Sequence, residues 1–128
     1  MRPISDGGLA SWQAARLRSF IENNLDSSIR AGDLAQLVRL STRHFFRAFR
    51  NTFGEPPLSY VMKRRMRRAQ ELMLTSRAPL SQVALECGMC DQAHFSRTFR
   101  RVIGSKPTIW RRRFLSDLAP GGRASARD

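Results

Sequence analysis

Acidic residues are scarce in this chain: 10 Asp+Glu stand against 23 Lys+Arg in 128 residues, a formal net charge of +13. Lysine is scarcer still, because only Lys63 and Lys106 are Lys and the other cations are Arg. No apolar run approaches the ~18–20 residues that span a bilayer, which excludes a transmembrane helix. The opening MRPISDGGLASWQ lacks the apolar core of a signal peptide. Two cysteines are too few for a disulfide framework. No segment alternates apolar and polar residues with the strand period. Paired carboxylates in a plausible cleft, a nucleophile–base pair and a phosphate-cradling glycine loop are all missing, so neither an enzyme nor a cofactor is expected. What is present is a 41% hydrophobic fraction, enough for a compact fold, so the charge belongs to a globular protein and not to a disordered tail. Self-repulsion at this charge is usually offset by a polyanion, and the planar guanidinium fork suits phosphates and the edge of guanine. The expected setting is soluble and intracellular.

The helical period runs through the chain. Apolar residues at Leu17, Phe20, Ile21 and Leu25 mark a first helix, and Leu34, Ala35 and Val38 a short second one. Ser41 has the chemistry of an N-cap for a helix through Phe53, with Phe45, Phe49 and Phe53 facing inward. Gly54 ends it, and Pro56-Pro57 opens a longer helix to about Thr75, with Leu58, Met62, Met66, Ala69 and Met73 on one side. Leu80 to Cys87 forms a short helix that Gly88 stops. Asp91 caps a helix through Ile103, and a last short helix carries Ile109, Trp110 and Phe114. The expected fold is all-α, about seven helices. Residues 1–11 read as a flexible N-terminal linker and residues 117–128 as a disordered tail.

An internal repeat carries most of the information. STRHFFRAFRNTFGEPPLSY aligns with DQAHFSRTFRRVIGSKPTIW at an offset of 50, pairing His44 with His94, Phe45 with Phe95, Arg47 with Arg97 and Tyr60 with Trp110. Upstream, Leu34-Ala35 pairs with Val83-Ala84 at an offset of 49, so the second turn is one residue longer. Each unit is a short helix, a turn and a longer helix, the helix-turn-helix plan whose second helix enters the DNA major groove. With the Phe stripe inward, Arg43, Phe46, Arg47 and Arg50 face outward in the first unit. In the second, Phe95, Phe99 and Ile103 point inward, and Gln92, Ala93, Ser96, Arg97 and Arg100 outward. Two unlike units on one chain need neither a palindrome nor a dimer, so an asymmetric site with targets about one turn (~10 bp) apart is expected. The linking helix would be a rod of roughly 27 Å at ~1.5 Å per residue. The competing reading is a cationic protein held to polyanions or acidic membrane surfaces by charge alone, which a repeat does not require.

With these residues in view, the sequence resembles the DNA-binding domain of the AraC/XylS family of bacterial transcription regulators, over about Leu17 to Phe114. The resemblance rests on DLA at 33–35, LSTRHFFRAFRNTFG at 40–54, the Pro57, Tyr60, Arg64, Ala69 and Leu72 series, CG at 87–88, DQAHFSRTFRRVIG at 91–104 and the run from Pro107 to Arg111. It implies two homeodomain-like helix-turn-helix subdomains (12–56 and 77–116) joined by a linking helix (57–76), binding double-stranded promoter DNA and contacting RNA polymerase in the bacterial cytoplasm, at the nucleoid, with an activator role. The base-reading candidates are Arg43, Phe46 and Arg47 in the first unit and Gln92, Ala93, Ser96 and Arg97 in the second. Arg reads guanine bidentately, Gln pairs with adenine, and Phe46 or Ala93 packs on a thymine methyl. Ser41, Thr42, Arg50, Lys63, Arg64, Arg65, Arg100 and Arg101 are expected on the DNA backbone, adding affinity without sequence information. His44 and His94 are expected to pack beside the buried Phe.

Three positions depart from the family pattern. Arg39 stands where glycine is frequent, so the turn is either strained or avoids positive φ. Met89 replaces a Phe but stays apolar. Cys90 completes a C-x-x-C with Cys87, for which a core and a turn role are expected over a metal or redox pair. Only about a dozen residues precede the first helix, where many family members carry an effector or dimerisation domain. The chain reads as a monomer, with a dimer expected only if such a domain exists, and no small-molecule effector is expected within it. A standalone regulator and a piece of a longer one both remain open.

Overall fold

The computed structural model describes residues 7–118. Seven helices follow in order: α1 (Ser11–Asn23), α2 (Ala31–Leu37), α3 (Thr42–Phe53), α4 (Pro57–Thr75), α5 (Leu80–Glu86), α6 (Gln92–Ile103) and α7 (Pro107–Leu118). No strand occurs among the described residues, and none of their helices is long and apolar enough to cross a membrane. The chain separates into two compact units, Met1–Arg64 and Arg65–Asp128, with α4 contributing its first part to one and its second part to the other.

In the first unit, Leu17 and Ile21 of α1, Leu34 and Ala35 of α2, and Phe45, Ala48 and Phe49 of α3 close a dry core with Val61 of α4. The inward Phe stripe appears as expected. Phe45 and Phe49 are fully buried, and Phe53 is half-buried, stacked 4.3 Å from Phe49 and covered by Arg18 at 5.2 Å. Each fully buried Phe contributes about 1.5–3 kcal/mol. Residues 7–10, placed in the linker by their composition, are held to α3: Leu9 is buried, its N–H donates to Thr52 Oγ1 at 2.7 Å, and Asn51 Nδ2 donates to Gly7 O at 2.9 Å. The remaining linker and tail positions, 1–6 and 119–128, lie outside the described residues. α7 itself runs through Leu118.

The second unit repeats the plan with Met66, Ala69 and Met73 of α4, Val83 and Ala84 of α5, Phe95 and Phe99 of α6, and Trp110 of α7. One register expectation on α4 is corrected. Leu58 is 50% exposed and Val61 takes the inward position instead. Five residues turn a helix by about 140°, so Val61 lies off the stripe of Met66, Ala69 and Met73, and it is buried in the core of the first unit.

Both turns between the short and long helices are Schellman motifs, in which backbone N–H groups recover the orphaned carbonyls of the helix end. Leu40 N donates to Ala35 O at 3.0 Å and Arg39 N to Gln36 O at 3.0 Å. Met89 N and Gly88 N do the same to Ala84 O and Leu85 O at 2.9 and 3.0 Å. The motif demands a left-handed residue, and Arg39 supplies it at φ 60° while Gly88 does so at φ 80°. Arg39 is therefore the strained alternative of the two left open, at a cost of roughly 1–2 kcal/mol for an L side chain. The extra residue of the second turn is Cys90, inserted between Met89 and the cap Asp91.

Candidate nucleic-acid interface

The long helix of each motif is fixed at both ends. Ser41 Oγ accepts from His44 N at 3.2 Å, and Asp91 Oδ1 accepts from Ala93 N and His94 N at 2.9 and 3.3 Å. Such caps contribute about 0.5–2 kcal/mol each. At the far ends Gly54 and Gly104 are left-handed C-caps. These caps hold two 12-residue helices in the same register relative to their cores.

That register decides which side chains are presented. On α3, Thr42, Arg43, Phe46, Arg47 and Arg50 are all exposed, opposite the buried Phe45, Ala48 and Phe49. Phe46 is a large apolar ring left 40% exposed among three arginines. On α6, Gln92, Ala93, Arg97, Arg100 and Arg101 are exposed and Ser96 is half-buried. Neither face carries an acid.

His44 and His94 do not pack as expected: both are exposed. Each is the third residue of its helix, where the backbone N–H meets the cap and the side chain turns to the flank, not toward the neighbouring Phe. Two of the α4 cations expected on DNA phosphates also have acidic partners within the protein. Lys63 pairs with Glu55 at 3.1 Å, with its own side chain 63% exposed, and Arg64 Nε donates to Glu22 Oε2. Arg65 is half-buried; that burial lowers its pKa, with the nearby Cys87 acting the other way. Amphipathic spacing shows only that these cations leave the core stripe, whereas their partners lie 8 and 42 residues away for Lys63 and Arg64.

Arg111 of α7 donates its guanidinium to three backbone carbonyls, Met73 O at 3.0 Å, Ala78 O at 2.7 Å and Ser76 O at 2.7 Å. The planar fork thus satisfies the end of α4 and the segment after it. Its only signal in sequence is a position one residue past the inward Trp110, on the core's rim.

Cys87 is fully buried, and burial pushes its thiol up to about 12, with Arg68 pulling the other way. Cys90 is exposed, and both thiols are free. Met89 is buried at 5% exposure, keeping the turn apolar. No group of His, Cys, Asp and Glu suited to a metal occurs among the described residues.

The geometry has known counterparts. A family model described as a helix-turn-helix domain matches residues 34–113. Among curated proteins, the chain is similar to a probable transcriptional regulator, LumQ, of Photobacterium leiognathi, 36% identical over 90 residues that cover 70% of this chain and 36% of that protein. The chain spans less than half the length of the curated relatives it matches first. Among solved structures, it is similar to the DNA-binding domain of AdpA, a global transcriptional factor, in complex with a target DNA. The TM-score is 0.74 at 30% identity, over 80% of this chain and 91% of that one. It is similar also to a transcriptional regulator from Chromobacterium violaceum of the group with AraC-type DNA-binding domains, with a TM-score of 0.73 at 28% identity, over 77% of this chain and 88% of that one.

Proposed function

We propose that this chain, which belongs to the AraC-type helix-turn-helix family of DNA-binding domains, places α3 and α6 in successive major-groove segments of one asymmetric promoter site and acts as, or within, a transcription activator. The observation that carries this reading is the pair of register-matched, acid-free helices with unlike outward residues. Arg47 and Arg97 occupy equivalent positions and read guanine through N7 and O6; Gln92 pairs with adenine, and Phe46 and Ala93 meet thymine methyls. Arg43 and Ser96 complete the two reading sets. Ser41, Thr42, Arg50, Arg100 and Arg101 flank the reading residues and contact phosphates, adding affinity without sequence information. Lys63, Arg64 and Arg65 are placed with them for the DNA backbone, Lys63 and Arg64 also pairing with Glu55 and Glu22.

Because each half of an asymmetric site differs, one chain suffices, and it acts as a monomer unless a further domain dimerises it. RNA polymerase is the second partner, and the bacterial nucleoid the place of action. Binding to polyanions or membrane surfaces by charge alone finds no support beside a helix-turn-helix match and a neighbour held on target DNA.

Selection of bound sites from random duplex DNA at fixed salt tests the reading. The expected result is two unlike half-motifs about 10 bp apart. A specific-to-nonspecific affinity ratio near one sinks it. Arg97→Ala should cost about 1–3 kcal/mol and relax preference at a single base pair.

A further inference from the structure

Beside the outward face of α6 lies a cleft of about 290 Å3 whose lining includes Ser96, Arg97, Arg100, Lys106 and Thr108. Three cations and two hydroxyls therefore converge on one small concavity, and no acid lines it. The three cations and Thr108 are exposed, so each side chain is available to a ligand. The cleft adjoins the first turn of α7, where backbone N–H groups add partial positive charge.

The internal repeat supplies a control. Ser105-Lys106-Pro107-Thr108 stands where the first unit has Glu55-Pro56-Pro57-Leu58. There the corner offers a carboxylate engaged by Lys63, a proline without an N–H, and an exposed leucine. One fold thus bears an anion-attracting corner in one copy and an anion-indifferent corner in the other.

We propose that the cleft between α6 and the start of α7 holds a phosphodiester of the bound DNA strand, with Lys106 as its principal charge and the Thr108 hydroxyl and Arg100 as further donors. The inference rests on the DNA-binding reading and deepens it. Lys106, as a compact point charge with three rotatable donors, neutralises the phosphate without demanding a fixed orientation. Arg97 lines the same cleft, beside the phosphate donors. The contact of Lys106 and Thr108 adds affinity without sequence information. The first unit has no such corner and depends on its base contacts and on Ser41, Thr42 and Arg50.

The test measures affinity of the full chain for its selected duplex across a salt series, beside phosphate-ethylation interference. Each neutralised phosphate adds about 0.9 to the slope of log K against log[salt]. Lys106→Ala should lower that slope by about one contact, so that the affinity lost between ~50 and ~200 mM salt shrinks by roughly threefold to fourfold. Selected and unrelated sequences should weaken alike, and interference should disappear at one phosphate of the α6 half-site. Thr108→Val should weaken the same phosphate with the slope retained. Glu55→Gln should leave the interference pattern unchanged. Matching unfolding curves establish that each exposed-site variant is folded. An unchanged slope and an unchanged interference pattern in Lys106→Ala overturn the cleft while leaving sequence-specific binding intact. A change confined to one base pair's preference also overturns it, since it would make Lys106 a base reader. A wild-type chain that does not discriminate among sequences overturns the DNA reading, and the cleft falls with it.

Discussion

The two units share a backbone plan yet build its cap, turn and core centre from different residues. The first caps its long helix with Ser41, bends its turn through Arg39 and fills the middle of its core with Ala48. The second uses Asp91, Gly88 and Thr98 at the same places and adds Cys90 to the turn. In the first unit two rings of α3, Phe49 and Phe53, cluster with Tyr60 of α4; in the second one ring of α6, Phe99, clusters with Trp110 and Phe114 of α7. Common to both are the pair of buried Phe residues one helical turn apart, the glycine C-caps Gly54 and Gly104, and the outward pairs Arg47 with Arg97 and Arg50 with Arg100. The other outward residues differ: Thr42, Arg43 and Phe46 of the first unit stand where the second has Gln92, Ala93 and Ser96.

Truncating the shared pair has the largest expected effect. Phe49→Ala and Phe99→Ala should each destabilise by about 3–5 kcal/mol in urea unfolding. Equal losses would mean that the two cores are equivalent despite their different aromatic partners. The next contrast is Cys87, which stands where the first unit has Val38. Below its ordinary value of 9.0 the thiol is protonated whether folded or unfolded. Between 9.0 and about 12 only the unfolded chain releases the proton, so stability should fall as pH rises. The slope approaches about 1.4 kcal/mol per pH unit for a single group. Subtracting the profile of Cys87→Val isolates this contribution, and identical profiles would refute it.

Arg111→Met retains a long apolar stem while removing the guanidinium that three carbonyls use. A loss of about 2 kcal/mol is expected, within the range for hydrogen bonds to charged groups. The first unit has no such Arg at the matching position, Val61, and should keep its protection from hydrogen exchange. The two left-handed turns make a reciprocal pair: Arg39→Gly should stabilise by roughly 0.5–1 kcal/mol and Gly88→Ala should destabilise by about 1 kcal/mol or more. Thermal unfolding of both variants reads the signs directly. Smallest is Thr98→Val. Thr98 Oγ1 is buried without a hydrogen-bond partner where the first unit places Ala48. Removing that hydroxyl should stabilise by up to about 1 kcal/mol, and a destabilised variant would indicate a partner for it.

The caps, the Phe stripes and the helix order were legible because each is local: a cap and its N–H lie within three residues, and inward positions repeat every three or four. The candidate reading faces followed as the complement of those stripes. Positions set by long-range pairing were not legible. Arg64 finds Glu22 and Arg111 finds Met73 O only after the chain has folded back. Leu9 is an isolated apolar residue in a glycine-containing stretch and carries no period to mark it as core. His44 and His94 illustrate another limit, since adjacency to a buried Phe says nothing of direction when successive helical residues turn by about 100°.

The grip of Arg111 has a consequence for the order in which the protein is made. Every tie described in the first unit, from Leu9 on Thr52 to Glu22 on Arg64, is present once residue 64 has left the ribosome. The second unit cannot satisfy the carbonyls of Met73, Ser76 and Ala78 until Arg111 emerges. The ties of the first unit can therefore form about half a chain earlier in synthesis than the grip of Arg111, as expected where domains fold from the amino terminus.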